Sequence, residues 1–316
     1  ERHGRRLNLK VLIGSVRDCR RVEQMFNEYV PDVVFHAAAH KHVPLMEESP
    51  GEAVKNNIYG TYNVAMTAAR FGVPRFVLIS TDKAVKPTNA MGASKRLCEV
   101  VILTLGKIWK DTSFAAVRFG NVLGSSGSVI PLFEKQIRNR RPVTVTHPKV
   151  ERYFMTIPEA SSLVLQAGAY AKGGEIFVLD MGEPVRIDKL ARDMIRISGL
   201  VPDIDIPIQY IGLRPGEKMR EELVLPEEHF VETDHKKIFS LKQVDDMSYL
   251  RKEVEMLEKI IGADEELGLT VFMDQLLSAL ERCEVLDESS SLLPKVHYEP
   301  YFPTKQSTAE KSSRSS

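Results

Sequence analysis

Residues 76–100, FVLISTDKAVKPTNAMGASKRLCEV, decide the fold because they contain a strand, a loop and most of a long helix. The run that ends at Ser80 is short, apolar and rich in β-branched side chains, which is typical of a buried strand. A loop containing Pro87 follows, and Met91–Lys107 has the length and pattern of a helix. Strand followed by helix is the repeating unit of a parallel sheet.

The same alternation extends along the first half of the chain and predicts an α/β protein with a doubly wound parallel sheet. Between the first two strands, residues 17–31 form a helix with one apolar face, which ends at Pro31. A second helix, Pro50–Phe71, is closed by Gly72 and Pro74. The predicted strands are Lys10–Val16, Asp32–Ala39, Arg75–Ser80, Phe114–Phe119 and Ile176–Asp180.

Composition and hydrophobic pattern divide the chain into four predicted regions. Residues 1–121 form the sheet domain, and residues 122–240 form a smaller mixed lobe, richer in proline and glycine, that binds a ligand and returns one strand, 176–180, to the sheet. Residues 241–293 are helical, with an apolar stripe that we interpret as packing on this protein and not on a partner. Residues 294–316, rich in Ser, Lys and Pro, are expected to be disordered.

Composition excludes several classes of function. The 316 residues are 43% hydrophobic, which suffices for a large core, and 43 basic residues balance 43 acidic ones. Without net charge the chain is not expected to bind nucleic acid or an anionic membrane. Its three widely spaced cysteines lack metal-ligand spacing and suit a reducing compartment, and its eight histidines form no metal motif.

Neither a membrane span nor a signal peptide is recognised in the sequence. The chain begins with Glu1 in a polar ERHGRR stretch and not with methionine. We therefore expect a segment upstream of it in the complete protein.

Two segments place polar groups where predicted strands end. In VVFHAAAHKHVPLMEESP, residues 33–50, small residues precede His40, Lys41 and His42, either to let a ligand approach the backbone or to pack a strand tightly on a helix. Asp82 and Lys83 follow the strand of residues 75–80 as adjacent charges. Desolvation there would perturb their proton affinities and permit acid–base chemistry, although such pairs in loops are commonly just solvated.

A third segment, AAVRFGNVLGSSGSVIPLF at residues 115–133, runs from a strand into a glycine- and serine-rich loop. Backbone amides of this loop, together with Asn121, could contact a phosphate. An ordinary flexible turn is the alternative.

Six blocks in order resemble the extended short-chain dehydrogenase/reductase family. The closest similarity is to its bacterial polysaccharide-biosynthesis group acting on UDP-N-acetylglucosamine, and it covers Leu9–Val231. The resemblance implies a Rossmann-like sheet, bound NAD or NADP, a UDP-sugar substrate, a homo-oligomer and a cytoplasmic location, either free or as the cytoplasmic domain of an inner-membrane protein. The blocks are AAAHKHVPLME, ISTDKAVKPTN, GASKR, RFGNVLGSSGSVIP, RYFMTIPEA and GLRPGEK.

In the 4,6-dehydratases of that family, the cofactor takes a hydride from carbon 4 of the sugar, water leaves across carbons 5 and 6, and the hydride returns to carbon 6. The resemblance implies that Asp82 protonates the departing hydroxyl and that Lys83 removes the carbon 5 proton. The product would be a UDP-4-keto-6-deoxy-N-acetylhexosamine.

The resemblance also implies roles for residues around this pair. Lys95 would bind the nicotinamide ribose, Thr81 would take the family's Ser/Thr position, and Lys41 would line the active site. His40 and His42 are interpreted as loop residues without a catalytic role. Asn57, Ala37, Ala38 and Ala39 would lie near the cofactor, and Asn121, Arg152, Arg214 and Glu217 would hold the UDP diphosphate and ribose, unless the last three form surface ion pairs.

Two departures from the family pattern bear on function. Met91 stands where the family has a tyrosine, four residues before Lys95, so that proton transfer would fall to Thr81, Lys83 or a water held by Lys95. Large membrane-anchored members of the group are similar in having methionine there, and a dead active site is the alternative.

The second departure is that no GxGxxG loop precedes a helix, which would leave the cofactor pyrophosphate without its usual contacts and the strand at residues 32–39 at an apolar sheet edge. Ser15 also replaces an aspartate that the family often has near the adenine. We therefore expect the chain by itself to fold poorly and bind NAD weakly. The competing functions are a UDP-sugar 4-epimerase and a UDP-sugar-binding protein without activity.

Overall fold

A six-stranded sheet forms the centre of the computed structural model, which describes residues 8–225, 228–241, 247–262 and 267–282. The predicted tail at 294–316, Cys283 and parts of the predicted C-terminal region lie outside the described residues. In chain order the helices are α1 (Cys19–Tyr29), α2 (Val43–Glu48), α3 (Pro50–Ala53), α4 (Gly60–Arg70), α5 (Ala90–Ile108), α6 (Val129–Arg138), α7 (Ile157–Tyr170), α8 (Ile187–Ile197), α9 (Met247–Ile261) and α10 (Leu269–Arg282).

The strands are β1 (Val33–His36), β2 (Arg75–Ile79), β3 (Ser113–Arg118), β4 (Asn121–Val122), β5 (Val143–Val145), β6 (Glu151–Arg152), β7 (Phe154–Met155), β8 (Glu175–Leu179), β9 (Val185–Arg186), β10 (Ile208–Tyr210), β11 (Phe230–Glu232) and β12 (Ile238–Leu241). The sheet order is β1-β2-β3-β8-β12-β11. Neighbours from β1 to β8 are parallel, β12 pairs antiparallel with β8, and β11 pairs antiparallel with β12. The predicted α/β fold with a parallel sheet is confirmed.

Alternating side chains along β2 show that helices cover both faces of the sheet. Phe76 and Leu78 are fully buried against the helical layer of α4 and α5, while Val77 is fully buried against α7 on the opposite face. Successive residues of a strand point to opposite faces, so a strand buried on both sides must be apolar throughout. For this reason Phe76–Ile79 are apolar at every position.

The predicted strand at Lys10–Val16 is wrong. Residues 8–15 form no strand, and the side chains of Leu9, Val11 and Ile13 are exposed. A strand needs a hydrogen-bonded neighbour. Within the described sheet β1 is the edge strand and pairs with β2 alone, and residues 10–16 pair with no strand. As expected, β1 lies at the sheet edge, where Val33 and Phe35 are partly exposed.

The C-terminal helices pack on the helical layer. Val254 and Leu257 of α9 are buried in the same apolar cluster as α5, and Phe272 of α10 makes edge-to-face contacts with Tyr59 and Tyr62. The apolar stripe of this region thus contacts the chain's own core. Among the helices of the described ranges, none has the length and apolar character that crossing a bilayer requires.

Candidate active site

A cleft of about 790 Å³ opens where β1, β2 and β3 end, at the carboxyl edge of the parallel strands. Sheets of this type bind ligands at this edge, because strand-to-helix loops from several strands converge there. Most of the residues predicted for the site line this cleft: Ala37, Ala39, Lys41, Thr81, Lys83, Met91, Lys95, Asn121, Arg152, Arg214 and Glu217.

The adjacent charges sit on a short 3-10 turn, Asp82–Ala84, immediately after β2. Asp82 is completely buried and does not line the cleft, whereas the Lys83 side chain is about 20% exposed and does. Lys83 Nζ lies 3.0 Å from Asp82 Oδ1, 3.4 Å from Asn121 Oδ1 and 3.6 Å from Glu221 Oε1. The lysine therefore separates two buried carboxylates from the cleft.

The Lys83 amine is held as an ammonium ion. Burial by itself would lower its pKa, but attraction to Asp82 and Glu221 outweighs burial, and the net effect raises the pKa above its ordinary value of 10.5. Arg152 opposes this rise. A lysine in this state donates hydrogen bonds, and it can accept a proton only after losing one to a neighbour.

One oxygen of the Asp82 carboxyl group has no partner. Its Oδ1 accepts hydrogen bonds from Thr81 Oγ1, at 2.8 Å, and from Lys83, while the buried Oδ2 has no hydrogen-bond partner among the described residues. Oδ2 faces Gly120, where an added Cβ would come within 3.3 Å of it. An unpaired buried carboxylate oxygen is costly, which sets this atom apart from most buried polar groups.

Thr81 connects Asp82 to the cleft. Thr81 lines the cleft, and its hydroxyl donates to the buried carboxylate. If Asp82 becomes protonated, the same contact can reverse and the hydroxyl can pass a proton outward, since a hydroxyl both donates and accepts.

Asn57 and Ala38 lie outside the cleft lining, unlike the other predicted cofactor residues. Asn57 is fully buried, and its amide accepts from the His40 backbone N–H at 2.7 Å and donates to the His40 carbonyl and to Ser94 Oγ. It therefore supports the loop after β1, whose Ala37, Ala39, His40 and His42 do line the cleft.

Lys95 and Met91 lie on α5, one turn apart, and face the cleft. Lys95 is 5% exposed, burial lowers its pKa, and its side chain makes no hydrogen bond or ion pair with the residues that the structure describes. Such an unpaired buried cation fits the ribose hydroxyls of a dinucleotide, so this half of the implied cofactor has a suitable contact. Met91 packs on Met46 and Ala53 and has no proton to exchange.

Arg152 and Glu217 form an ion pair in the cleft wall. Arg152 donates to Glu217 Oε1 at 2.9 Å and to the carbonyls of Glu151 and Met219, while Thr146 Oγ1 donates to the same Glu217 oxygen. The Arg214 backbone N–H donates to Glu217 Oε2, and the Arg214 side chain is exposed. The predicted nucleotide-binding residues are therefore brought together, and Glu217 orients Arg152.

Two residues of this region were not predicted. Lys135 of α6 lines the cleft and adds a cation to Lys41, Arg152 and Arg214. Glu221 is 4% exposed and contacts Lys83. Its signal in the sequence is weak, because Glu221 and Glu222 look like an ordinary pair of surface acids. The described residues contain no cluster of three or more histidine, cysteine or acidic side chains that could hold a metal ion.

We expect Gly92→Ala to destabilise the fold by about 1–3 kcal/mol, because overpacking forces neighbours apart. A Cβ at Gly92 would clash with the Lys83 carbonyl oxygen and lie 3.2 Å from Pro87 Cβ, so the turn carrying Asp82 and Lys83 would have to move. The matched control is Gly106→Ala in the same helix, whose Cβ would approach the Phe114 side chain to 3.3 Å. Urea unfolding measures both changes, and equal costs would contradict the argument.

Comparison with known proteins places these residues in a family context. Residues 1–243 match the family model described as "Polysaccharide biosynthesis protein". The capsular polysaccharide biosynthesis protein CapD of Staphylococcus aureus is 55% identical over 255 residues, which are 81% of this chain and 42% of CapD. The chain thus spans less than half the length of this relative. The UDP-glucose 4-epimerase of Rickettsia felis is 38% identical over 222 residues, 70% of this chain and 63% of the epimerase.

Among solved structures, the X-ray structure of Pen from Bacillus thuringiensis is 40% identical, with a TM-score of 0.68 over 74% of this chain and 73% of Pen. The Thermus thermophilus UDP-glucose 4-epimerase, solved with NAD, is 22% identical, with a TM-score of 0.60 over 67% of this chain and 75% of the epimerase. At that identity it shares the fold alone.

Proposed function

The chain belongs to the polysaccharide biosynthesis protein family, and from this premise and the cleft we propose that it is a nucleotide-sugar 4,6-dehydratase. Its substrate would be UDP-N-acetylglucosamine, and its product a UDP-4-keto-6-deoxy-N-acetylhexosamine used in polysaccharide synthesis. The observation that supports this best is the Asp82–Lys83 pair, in which one charged group faces the cleft and the other keeps a buried, unpartnered carboxyl oxygen. Elimination of water needs one acid and one base held close together.

The cofactor in this proposal is NAD or NADP, which supplies the acceptor and donor of the hydride when bound. The T. thermophilus protein that shares the fold was solved with NAD. In this chain Lys95 would bind the ribose next to the nicotinamide, and the small Ala37 and Ala39 would let the cofactor approach the end of β1. Asn57 would act indirectly, by holding the loop that contains these alanines.

Proton transfer in the proposal begins inside the charged pair. In the resting site the shared proton is on Lys83, so it must first move to Asp82, 3.0 Å away. That transfer creates a neutral amine at the cleft, able to take the carbon 5 proton, and a carboxylic acid behind it. The acid then delivers its proton to the departing carbon 6 hydroxyl through Thr81. When the hydride returns to carbon 6, the Lys83 ammonium group returns a proton to carbon 5, and the proton released from the carbon 4 hydroxyl restores the pair.

The UDP moiety is proposed to lie against the cations of the cleft. Lys41, Lys135 and Arg214 line it without an ion-pair partner among the described side chains, and a diphosphate of about two negative charges would bring them together. Arg152 is already oriented by Glu217 and would add a fixed donor.

We expect Thr81→Val to slow the loss of water from the substrate by about a hundredfold, because it removes the hydroxyl that links Asp82 to the cleft. Thr81→Ser keeps a hydroxyl on the same turn and should retain most of the activity. Steady-state rates of product formation test both variants. Equal rates for valine and serine would exclude a proton path through residue 81.

A 4-epimerase is the alternative favoured by one observation, the similarity to the R. felis enzyme of that name. Epimerisation needs proton exchange at the carbon 4 hydroxyl but no acid to expel the carbon 6 hydroxyl. Dehydration also begins with loss of that proton as the hydride leaves carbon 4, so Met91, buried and apolar, does not separate the two reactions. Asp82 does, because it supplies an acid that an epimerase would not use.

Product analysis separates the candidate functions. The purified full-length protein is incubated with UDP-N-acetylglucosamine and NAD, and the sugar nucleotide is analysed by mass spectrometry and NMR. A dehydratase gives a product lighter by one water with a carbonyl at carbon 4. An unchanged mass with inverted carbon 4 would identify an epimerase, and binding with unchanged substrate would identify a binding protein.

A further inference from the structure

Lys83 meets a second buried carboxylate besides that of its neighbour in sequence. Glu221 is 4% exposed, lies outside the lining of the cleft, and has its Oε1 3.6 Å from Lys83 Nζ. A buried carboxylate is retained only when a cation or several donors compensate for its lost hydration. Lys83 is the cation that Glu221 pairs with among the described residues.

The segment around Glu221 is anchored to the turn of the catalytic pair at several other points. Lys218 Nζ donates to the Val85 carbonyl at 2.9 Å, and the Gly216 carbonyl accepts from Thr88 Oγ1 and from the Asn89 side chain. The Met219 carbonyl accepts from the Glu151 backbone N–H on the other side. The position of Glu221 therefore does not depend on its ion pair with Lys83.

The Lys83 ammonium group donates two hydrogen bonds and forms one ion pair. It donates to Asp82 Oδ1 at 3.0 Å and to Asn121 Oδ1 at 3.4 Å, and Glu221 Oε1 lies 3.6 Å away, beyond hydrogen-bond distance. Glu221 therefore acts on the amine through its charge. The charged groups facing the amine are Asp82 on its own turn, Glu221 on the anchored segment, and Arg152 on β6.

We infer that Glu221 is a positioning residue for the proposed dehydration, holding the Lys83 amine at the cleft wall and keeping it protonated until substrate chemistry begins. The catalytic role of Glu221 rests on the proposed function, whereas its ion pair with Lys83 can be tested without turnover. Both buried carboxylates attract the ammonium group, so neither alone determines its protonation. If Glu221 is neutralised, the proton on Lys83 is held less tightly, because one of two opposite charges is lost.

The test is the reactivity of Lys83 towards acetic anhydride at pH 8, measured by mass spectrometry of peptides from the full protein. Only the neutral amine reacts, so a lower pKa of Lys83 raises its acetylation rate, by about ten- to a thousandfold for the loss of one nearby opposite charge. This increase is expected for Glu221→Gln. The exposed Lys110 serves as the internal reference in the same digest.

Two further variants make the result specific. Glu222→Gln removes an adjacent acid whose contact is with Lys86, at 3.5 Å, and should leave the Lys83 rate unchanged. Glu221→Asp keeps the charge but retracts it by one methylene, and should raise the rate by less than the glutamine variant. It replaces that variant in the test if glutamine prevents folding. An unchanged Lys83 rate in the folded Glu221 variants would overturn the inference.

The pH dependence of turnover gives an independent readout. In the proposed mechanism the active pair holds one proton, so turnover is lost at high pH when Lys83 loses that proton. Glu221→Gln makes this loss easier, and the falling limb of the rate profile should move to lower pH. A raised acetylation rate without dehydration in any form of the protein would support the role of Glu221 at Lys83 and refute the proposed function. Dehydration whose pH profile is the same in Glu221→Gln as in the unmodified protein would refute the role of Glu221 and leave the proposed function standing.

Discussion

Lys83→Met is expected to reduce the rate of water loss from UDP-N-acetylglucosamine by about 100- to 10,000-fold, the usual contribution of one acid or base. Methionine has a similar length but can neither hold nor accept a proton. Because Lys83 and Asp82 share one proton across 3.0 Å, they act as a unit. The double variant with Asp82→Asn should therefore be little slower than Lys83→Met alone.

Single-turnover rates with bound NAD, followed by mass spectrometry, measure this effect. The control is Lys110→Met, at an exposed lysine that does not line the cleft, which should leave the rate unchanged. Binding of UDP to each variant shows that the cleft is intact. If Lys83→Met kept more than about a tenth of the activity, Lys83 would not be the base.

Arg118→Met is expected to destabilise the fold by about 3–5 kcal/mol, the typical cost of breaking a buried ion pair. Arg118 is completely buried on β3 and donates to both oxygens of Glu99 at 2.9 and 2.8 Å, as well as to Glu228. Glu99 also accepts from Ser80, the residue before Thr81. Removing the guanidinium would leave Glu99 buried with less compensation, beside the turn that carries Asp82 and Lys83.

Urea unfolding of the variant and of Arg192→Met provides the comparison. Arg192 pairs with Asp203 at 2.6 Å on the surface, where such pairs contribute less than about 1 kcal/mol. A cost for Arg118→Met no greater than that for Arg192→Met would show that the buried network adds nothing to stability.

The ion pairs of Glu99 predict how the stability of the fold depends on pH. Burial alone would raise the pKa of Glu99, but Arg118 and Arg96 outweigh burial and lower the pKa from 4.5 to about 2. A carboxyl group with a depressed pKa stabilises the fold above its unfolded pKa. This contribution should therefore be present above pH 4.5 and be lost as the pH falls towards about 2.

The central sheet could be predicted because its strands are buried on both faces. Runs such as Phe76–Ile79 and Phe114–Val117 are apolar throughout, and that signal is local. Strands β11 and β12 were not predicted, because their residues lie among charges and acquire strand structure by pairing with β8. The segment at residues 10–16 fails in the opposite way: its sequence suits a strand, but it has no neighbour among the described strands.

The sequence predicts those site residues that follow directly after a strand. Topology brings the residues after β1, β2 and β3 to one edge, so Ala39, Thr81, Lys83 and Asn121 line the same cleft. Which side chains face the cleft depends on packing, and for this reason Asn57 lies behind it. The contact of Lys83 with Glu221 joins residues 138 positions apart (221 − 83), and no local pattern reports it.

The most direct test of the proposed dehydratase follows the hydride. UDP-N-acetylglucosamine deuterated at carbon 4 is incubated with the protein and NAD, and the product is analysed by NMR and mass spectrometry. An internal redox cycle predicts a product lighter by one water, with the deuterium now at carbon 6. Deuterium that stays at carbon 4 of a sugar of unchanged mass would contradict the proposal.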